Sequence, residues 1–169
     1  MLQLTSARDI EANSLMAMMA EIYRAAPFFC QSLEERYPTL EALRDSVHHI
    51  TNRPGGRFDV GVLDQRLVGF VQVEPVAPSR LAHTAWVTFG VLPSVQGKGI
   101  ARAMYREVEK LVASHGIIEI LYLMTRADNS KALLFNQNIG FEQVALLERD
   151  TKINDTYYDG VMMRKFLRH

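Results

Sequence analysis

Val91-Leu92-Pro93-Ser94-Val95-Gln96-Gly97-Lys98-Gly99-Ile100-Ala101 decides how this chain is read. An apolar run ends at Val91, and Pro93 closes it because proline cannot donate to a sheet ladder. From Ile100 onward, Met104, Val108, Leu111 and Val112 recur at helical spacing. The segment therefore joins the end of a strand to the start of a helix. Gly97 and Gly99 remove side chains where a backbone would have to approach a ligand closely. Unpaired N–H groups in the first helical turn, and the dipole behind them, favour an anion there. Together they suit a pyrophosphate cradle, with Lys98 as a mobile positive charge at its edge. Two common phosphate loops are excluded: Gly99 stands where a Walker loop needs Ser or Thr, and Arg102 stands where the dinucleotide fingerprint needs a third small residue. Taken alone, the loop is equally a tight strand-to-helix turn.

Outward from this loop the pattern alternates. Upstream, residues 2–6 read as a strand, and Asp9 can cap a helix to about Ala25 with Ile10, Leu15, Met16, Met19 and Ile22 on one face. Residues 26–38 read as irregular. Pro38-Thr39 starts a second helix to about Ile50, which Pro54-Gly55-Gly56 ends. Strands Phe58–Leu63 and Leu67–Val73 form a hairpin across Asp64-Gln65-Arg66, and a long strand runs from about Leu81 to Val91. Downstream, a helix from Gly99 to Gly116 leads to a buried strand, Ile117 to Met124. A helix from Asn129 to Asn138 is stopped by Gly140. Strands Glu142–Arg149 and Tyr157–Leu167 close the chain. The expected fold is α/β: a mixed sheet of six to seven strands, one right-handed parallel crossover and helices on both faces.

The 169 residues fit a single domain, 1–169. The chain is 48% hydrophobic and 22% charged, as in a globular protein with a substantial core. Nineteen basic side chains balance nineteen acidic ones, which argues against a nucleic-acid partner. The one small basic cluster, Arg164-Lys165 with Arg168, reads as a solvated chain end. No apolar run is long enough to span a bilayer, and Arg8, Asp9 and Glu11 stand where a leader would need apolar residues. The single cysteine, Cys30, rules out an internal disulfide framework and fits a cytoplasmic setting. His48 and His49 diverge on their helix and do not chelate together, so no metal is expected. Met16, Met18 and Met19 read as core and its rim.

Gln96-Gly97-Lys98-Gly99-Ile100-Ala101 resembles the Q/R-x-x-G-x-G/A signature of the GNAT superfamily of N-acetyltransferases. Asn129-Ser130-Lys131-Ala132 followed by Ile139-Gly140-Phe141, and the closing Tyr158–Leu167 stretch, are similar to later segments of the same family. The resemblance covers essentially the whole chain. It implies a GNAT fold and acetyl-CoA as cosubstrate, with the sheet splayed between the strand ending near Pro93 and the one ending near Met124. Backbone groups of Phe89 and Val91 would bond the pantetheine arm, and the Phe89 amide would face the thioester oxygen. Amides of Gln96, Gly97, Lys98, Gly99, Ile100 and Ala101 would hold the pyrophosphate, with Asn129 on the other side. Asn129 is equally suited to cap its helix.

The family often carries a base six residues before the strand's final valine; that position is Ala85, which cannot titrate. His83, two residues earlier, and Glu74, at the end of the preceding strand, are the candidates. Many members carry a tyrosine seven residues after the motif asparagine to protonate the leaving thiolate; here Asn136 stands there, preceded by Phe135. Tyr122 and Tyr158 are other possible donors. The acceptor pocket would draw on Phe28, Phe29, Glu34, Glu35 and Tyr37 from one loop, and Asp155, Tyr157 and Asp159 from another. The implied activity is acetyl transfer to a primary amine, by preference of a small molecule. A protein or peptide acceptor, or a non-catalytic acyl-CoA-binding module, is the alternative. No membrane partner is expected, and a homodimer is left open.

Overall fold

The computed structural model describes residues 1–167; Arg168, from the C-terminal basic cluster, lies outside the described residues. Seven strands form one mixed sheet: β1 (Leu2–Ser6), β2 (Arg57–Leu63), β3 (Arg66–Pro75), β4 (Thr84–Val91), β5 (Ile120–Arg126), β6 (Glu142–Ile153) and β7 (Thr156–Phe166). Their spatial order is β1-β2-β3-β4-β5-β7-β6. Every neighbouring pair is antiparallel except β4 and β5. Those two are joined by the helix α4 (Ile100–His115), packed against β2, β3 and β4. The remaining helices are α1 (Ala12–Ala25), α2 (Leu33–Arg36), α3 (Leu40–Thr51) and α5 (Ser130–Asn138).

Strand alternation divides the core into two layers. Phe58, Val60 and Phe70 point to one face and pack with Leu15, Met19, Ile22, Leu43 and Ile50 of α1 and α3. Val71, Val73, Ala85 and Val87 point to the other and pack with Met104, Tyr105 and Val108 of α4, and with Leu121 and Met163. Each fully buried Leu, Phe or Met contributes about 1.5–3 kcal/mol relative to exposure. Met18 and Met19 are buried and Met16 lies at the rim. Two tight hairpins fix the antiparallel registers. Asp64-Gln65 and Asn154-Asp155 both have positive φ at both central residues, the backbone twist that suits a two-residue hairpin.

Several expected boundaries shift, each for a local reason. Asp9 does not cap α1: it ends a short 3-10 turn capped by Ser6, and Glu11 precedes α1 without a side-chain cap. The segment 26–38 is not wholly irregular. Ser32 and Glu35 form a reciprocal capping box around α2, with Glu35 N to Ser32 Oγ at 3.1 Å and Ser32 N to Glu35 Oε2 at 2.8 Å. The long central strand begins at Thr84, because Ser79–Leu81 forms a 3-10 turn; His83 therefore precedes β4. β5 starts at Ile120 rather than Ile117, and β6 extends to Ile153 through a bulge in its pairing with β7 between Leu147 and Thr151. Arg149, inside that bulge, has φ 56°.

Candidate active site

The pairing of β4 with β5 covers only Thr84↔Ile120, Ala85↔Leu121 and Trp86↔Tyr122. β4 continues to Val91 beside β3, while β5 turns to β7. Val76 N donates to Thr84 O, and Leu92 N donates to Val68 O, so the even-numbered residues of β4 bond toward β3. Antiparallel alternation then turns the N–H and C=O groups of Val87, Phe89 and Val91 the other way. There they face a cleft of about 510 Å³, into which Leu123, Met124 and Thr125 of β5 look from the far wall.

At one end of the cleft lies the loop 96–99. Gln96 lines it, and Gly97 and Gly99 have φ of 73° and 76°, the left-handed region where glycine is at ease. A Cβ built at either glycine meets nothing within 4 Å, so open space lies over the backbone that leads into α4. Lys98 is exposed and donates from Nζ to Ser94 O at 2.9 Å. Ile100 and Ala101 form the first turn of α4. Asn129 lines the opposite side and caps α5, its Oδ1 accepting from Ala132 N at 3.3 Å. An unpaired strand edge leading to a helix N-terminus with open space above it fits a long, extended, diphosphate-bearing cosubstrate such as acetyl-CoA.

Asn136 also lines the cleft, 3% exposed. Its Nδ2 donates to Thr125 Oγ1 at 2.9 Å, while its buried Oδ1 has no partner. Phe135 is not a cleft wall: its ring packs on Phe89 at 5.5 Å, and Phe89 in turn packs on Tyr105 at 5.9 Å. Asn136 lies beside Thr125, the residue before Arg126.

The other face of β4 builds a second compartment. Gln72 and Glu74 of β3 register with Thr88 and Trp86 of β4. Glu74, with its side chain 41% exposed, Trp86, Tyr23, Phe28, Phe29 and Arg36 line the cleft there. Arg36 is hydrogen-bonded to neutral groups and ion-paired to Glu74 at 3.8 Å. Its Nε donates to Tyr37 Oη and its Nη2 to Gln72 Oε1, both at 3.0 Å, and Gln72 Nε2 donates to Tyr37 Oη at 2.8 Å. Burial pushes the Tyr23 phenol up to about 12, with Arg36 drawing it partly back. Arg126 closes this compartment. It donates twice to Asp128, at 3.0 and 2.6 Å, and once to Pro27 O, and it lies 3.6 Å over the Tyr158 ring.

The expected residues divide accordingly. Glu74, Phe89, Val91, Gln96, Asn129 and Asn136 meet around the cleft, with Gly97 to Ala101 at its shoulder. His83 does not line it; its carbonyl accepts from Glu119 N and Ile120 N at the base of the β4–β5 pairing. Ala85 is fully buried. Of the acceptor candidates, Phe28 and Phe29 line the cleft, Glu35 serves the capping box and Tyr37 is buried behind Arg36. Asp155 pairs with Lys152, the exposed Tyr157 contacts Arg149 and Lys152, and Asp159 accepts from Arg149 N. Asp150 and Thr151, delivered by the β6 bulge, line the cleft in their place. Tyr122 packs on Trp86. Arg36, Trp86, Arg126, Asp150 and Thr151 were not foreseen. Only the Ser32-Leu33-Glu34-Glu35 capping pattern carried a signal, for the helix that presents Arg36. Among the described residues no group of acidic, His or Cys side chains could hold a metal ion, and no helix is long and apolar enough to cross a membrane.

The model of the acetyltransferase (GNAT) family matches residues 16–141. The N-alpha-acetyltransferase RimI of Mycobacterium tuberculosis is 30% identical over 118 residues, covering 70% of this chain and 65% of that protein. The L-amino acid N-acetyltransferase AaaT of Escherichia coli is 23% identical over 158 residues, 94% of this chain and 92% of that one. A GNAT-family acetyltransferase structure from Streptococcus pneumoniae superposes with a TM-score of 0.90 at 17% identity, over 99% of this chain and 100% of that chain. The structure of yncA from Salmonella typhimurium with its cofactor acetyl-CoA superposes at 0.83 with 15% identity, over 100% and 95%. At these identities the structural likenesses concern the fold.

Proposed function

The chain belongs to the acetyltransferase (GNAT) family, and on that premise we propose that it transfers an acetyl group from acetyl-CoA to the primary amine of a small molecule. One observation carries this: the β4–β5 pairing stops at Trp86↔Tyr122, opening a cleft that runs from the loop 96–99 to Glu74. The backbone of Phe89 and Val91 would bind the cosubstrate's amide-bearing arm, and the amides of Gln96 to Ala101 its pyrophosphate. The cosubstrate supplies an acyl group activated as a thioester, whose carbonyl carbon the amine attacks as the C–S bond breaks. The Phe89 amide would donate to the developing oxyanion. Glu74, half-exposed on the acceptor side, would take the proton from the arriving ammonium ion, directly or through a water. Asn136 Nδ2 can donate a hydrogen bond toward the departing thiolate but no proton, which would then come from solvent. The lone Cys30, an exposed free thiol, suits a reducing, cytoplasmic setting.

The RimI relative, named as an N-alpha-acetyltransferase, favours a protein or peptide N-terminus as the second reading. The test is thiol release from acetyl-CoA over a panel of amines, amino acids and peptides. Turnover is expected, and Glu74→Gln should lower it by about two to four powers of ten. That loss should shrink at high pH, where more amine arrives already neutral. His83→Ala should behave as wild type. Acetyl-CoA binding without turnover of any amine would refute the proposal in favour of an acyl-CoA-binding regulatory module.

A further inference from the structure

The two arginines of the acceptor compartment are paired unequally. Arg126 is neutralised. Both oxygens of Asp128 accept from it in a bidentate pair, Pro27 O takes a third bond, and Tyr158 and Phe28 cover its faces at 3.6 and 5.1 Å. It ties the α1–α2 connection to the end of β5. Arg36 has only a loose counter-ion, the part-exposed Glu74. Its two hydrogen bonds go to neutral oxygens of Tyr37 and Gln72, and its nearest carboxylate oxygen, Glu74 Oε2, stands at 3.8 Å, beyond hydrogen-bond reach. Its Nη1 has no acceptor among the described residues. The Tyr23 phenol beside it stays protonated through neutral pH, so it supplies no negative charge.

A guanidinium whose side chain is only 24% exposed, oriented by a buried tyrosine and glutamine and paired to Glu74 only at long range, is a preorganised anion anchor. The anchor also stands beside Glu74, so the compartment presents a cation and an anion side by side, 3.8 Å apart. The complementary ligand carries its own ammonium and carboxylate side by side. In an α-amino acid the amine nitrogen and carboxylate carbon are separated by two bonds, roughly 2.5 Å. Longer ω-amino acids and plain amines lack that match. The rest of the compartment is aromatic: Tyr23, Phe28, Phe29 and Trp86.

We propose that the acceptor is a free α-amino acid with an apolar or aromatic side chain, its carboxylate seated on Arg36 and its ammonium on Glu74. This rests on the acetyltransferase reading above and narrows it. A peptide N-terminus, whose first carboxyl is an amide, would offer Arg36 no carboxylate.

The test measures thiol release from acetyl-CoA with the proteinogenic L-amino acids, each beside its α-amide and a dipeptide beginning with the same residue. The wild type should prefer the acid over its amide by about ten- to a hundredfold in kcat/KM, the usual worth of a charge-assisted hydrogen bond. Arg36→Gln should bring the acid-to-amide ratio to about one, acting through KM for the acid, and Arg36→Lys should retain part of the preference. A merely structural Arg36 would lower acid and amide together and leave the ratio unchanged. The melting shift produced by acetyl-CoA reports that each variant is folded, and the wild-type ratio decides even if Arg36→Gln is not. Amides or dipeptides used as well as acids by the wild type, or a preference surviving in Arg36→Gln, would overturn this proposal and leave the acetyltransferase reading standing. Failure of every amine tested to release thiol would sink both.

Discussion

Replacing Gly99 by valine separates what the loop does for the fold from what it does for a ligand. Gly99 has φ 76°, and a Cβ there meets nothing within 4 Å. The substitution therefore introduces backbone strain and no clash. A left-handed conformation costs a side-chain-bearing residue about 1–2 kcal/mol, and a β-branched one lies at the upper end. Gly116, at the other end of α4, offers a matched control: φ 64°, and again nothing within 4 Å. Sixteen helical residues separate the two sites, roughly 24 Å. Gly99→Val and Gly116→Val should thus lower the melting temperature by similar amounts, about 2–8 °C for a chain of this size. Acetyl-CoA should respond differently. At a hundredfold excess over its dissociation constant, binding stabilises by about 2.7 kcal/mol, or roughly 5–10 °C. The wild type and Gly116→Val should show that full shift by thermal melting with and without acetyl-CoA. Gly99→Val should lose most of it, because the branched side chain fills the space over the amides leading into α4. An undiminished shift in Gly99→Val would refute the placement of the pyrophosphate. An equal loss in Gly116→Val would show that strain alone is being read.

Asn136→Leu should change stability little, since removing a buried carbonyl that has no partner, a group that costs about 1–3 kcal/mol, offsets the lost Nδ2–Thr125 Oγ1 bond, worth about 0.5–1.5 kcal/mol; thiol release should slow several-fold, and a loss of stability beyond about 2 kcal/mol in urea unfolding would show that Oδ1 is satisfied after all. Asp59 is almost fully buried and ion-paired to Arg57, with Nε to Oδ2 at 2.7 Å. Burial raises its carboxyl above the usual range, and Arg57 partly offsets this. Arg57→Met should cost about 3 kcal/mol at neutral pH. The variant's Asp59 lies higher still, so the folded state binds its proton first and the deficit should shrink as pH falls through that value. A deficit independent of pH would show that Asp59 is not the group responsible. Tyr23 ionises near 12 when folded against about 10 unfolded, so its contribution is complete below about pH 10 and is lost as pH rises toward 12. Tyr23→Phe should flatten that alkaline decline in denaturant titrations at pH 9 and 11.

The features legible in the sequence are those set by local pattern. Alternation and helical periodicity located seven strands and the four longer helices, because burial on one face imposes its period on the residues. The glycine loop was legible for a related reason: only glycine is at ease at φ 73° and 76°. Boundaries failed where a side chain could satisfy the backbone in more than one way. Asp9 and Glu11 both stand ahead of α1, and Ser6 wins the local cap by closing a 3-10 turn. His83 looked like a strand residue because alternation says nothing about where a turn stops, and the turn at Ser79–Leu81 ends just before it. Asp150 was illegible for a different reason. It enters the cleft only because β6 gains unpaired residues between Leu147 and Thr151, and such a bulge depends on the partner strand rather than on its own sequence. A Cβ at Gly160 on β7 would stand 2.6 Å from Asp150 Oδ2, so the glycine that admits the bulge lies ten residues away.

The short parallel pairing would let one strand serve two ligands. Had β4 and β5 paired along their full length, the backbone of Phe89 and Val91 would bond β5 and no cleft would exist. Because the pairing ends at Trp86↔Tyr122, the strand edge is free exactly where its two side-chain faces diverge in task. Odd residues, Val87 and Phe89, send side chains into the layer of α4, which presents the loop 96–99. Even residues, Trp86 and Thr88, stand beside Glu74 and Gln72 and so beside Arg36. On the proposed reading, the cosubstrate would be held by the main chain of odd residues of β4, and the acceptor would lie against the side chains of even ones. Changes at Trp86 or in the α1–α2 connection can then alter which amine is accepted without touching the amides that hold the donor. The reverse holds for the loop at Gly99, where a side chain would block the donor and leave Arg36 and Glu74 in place.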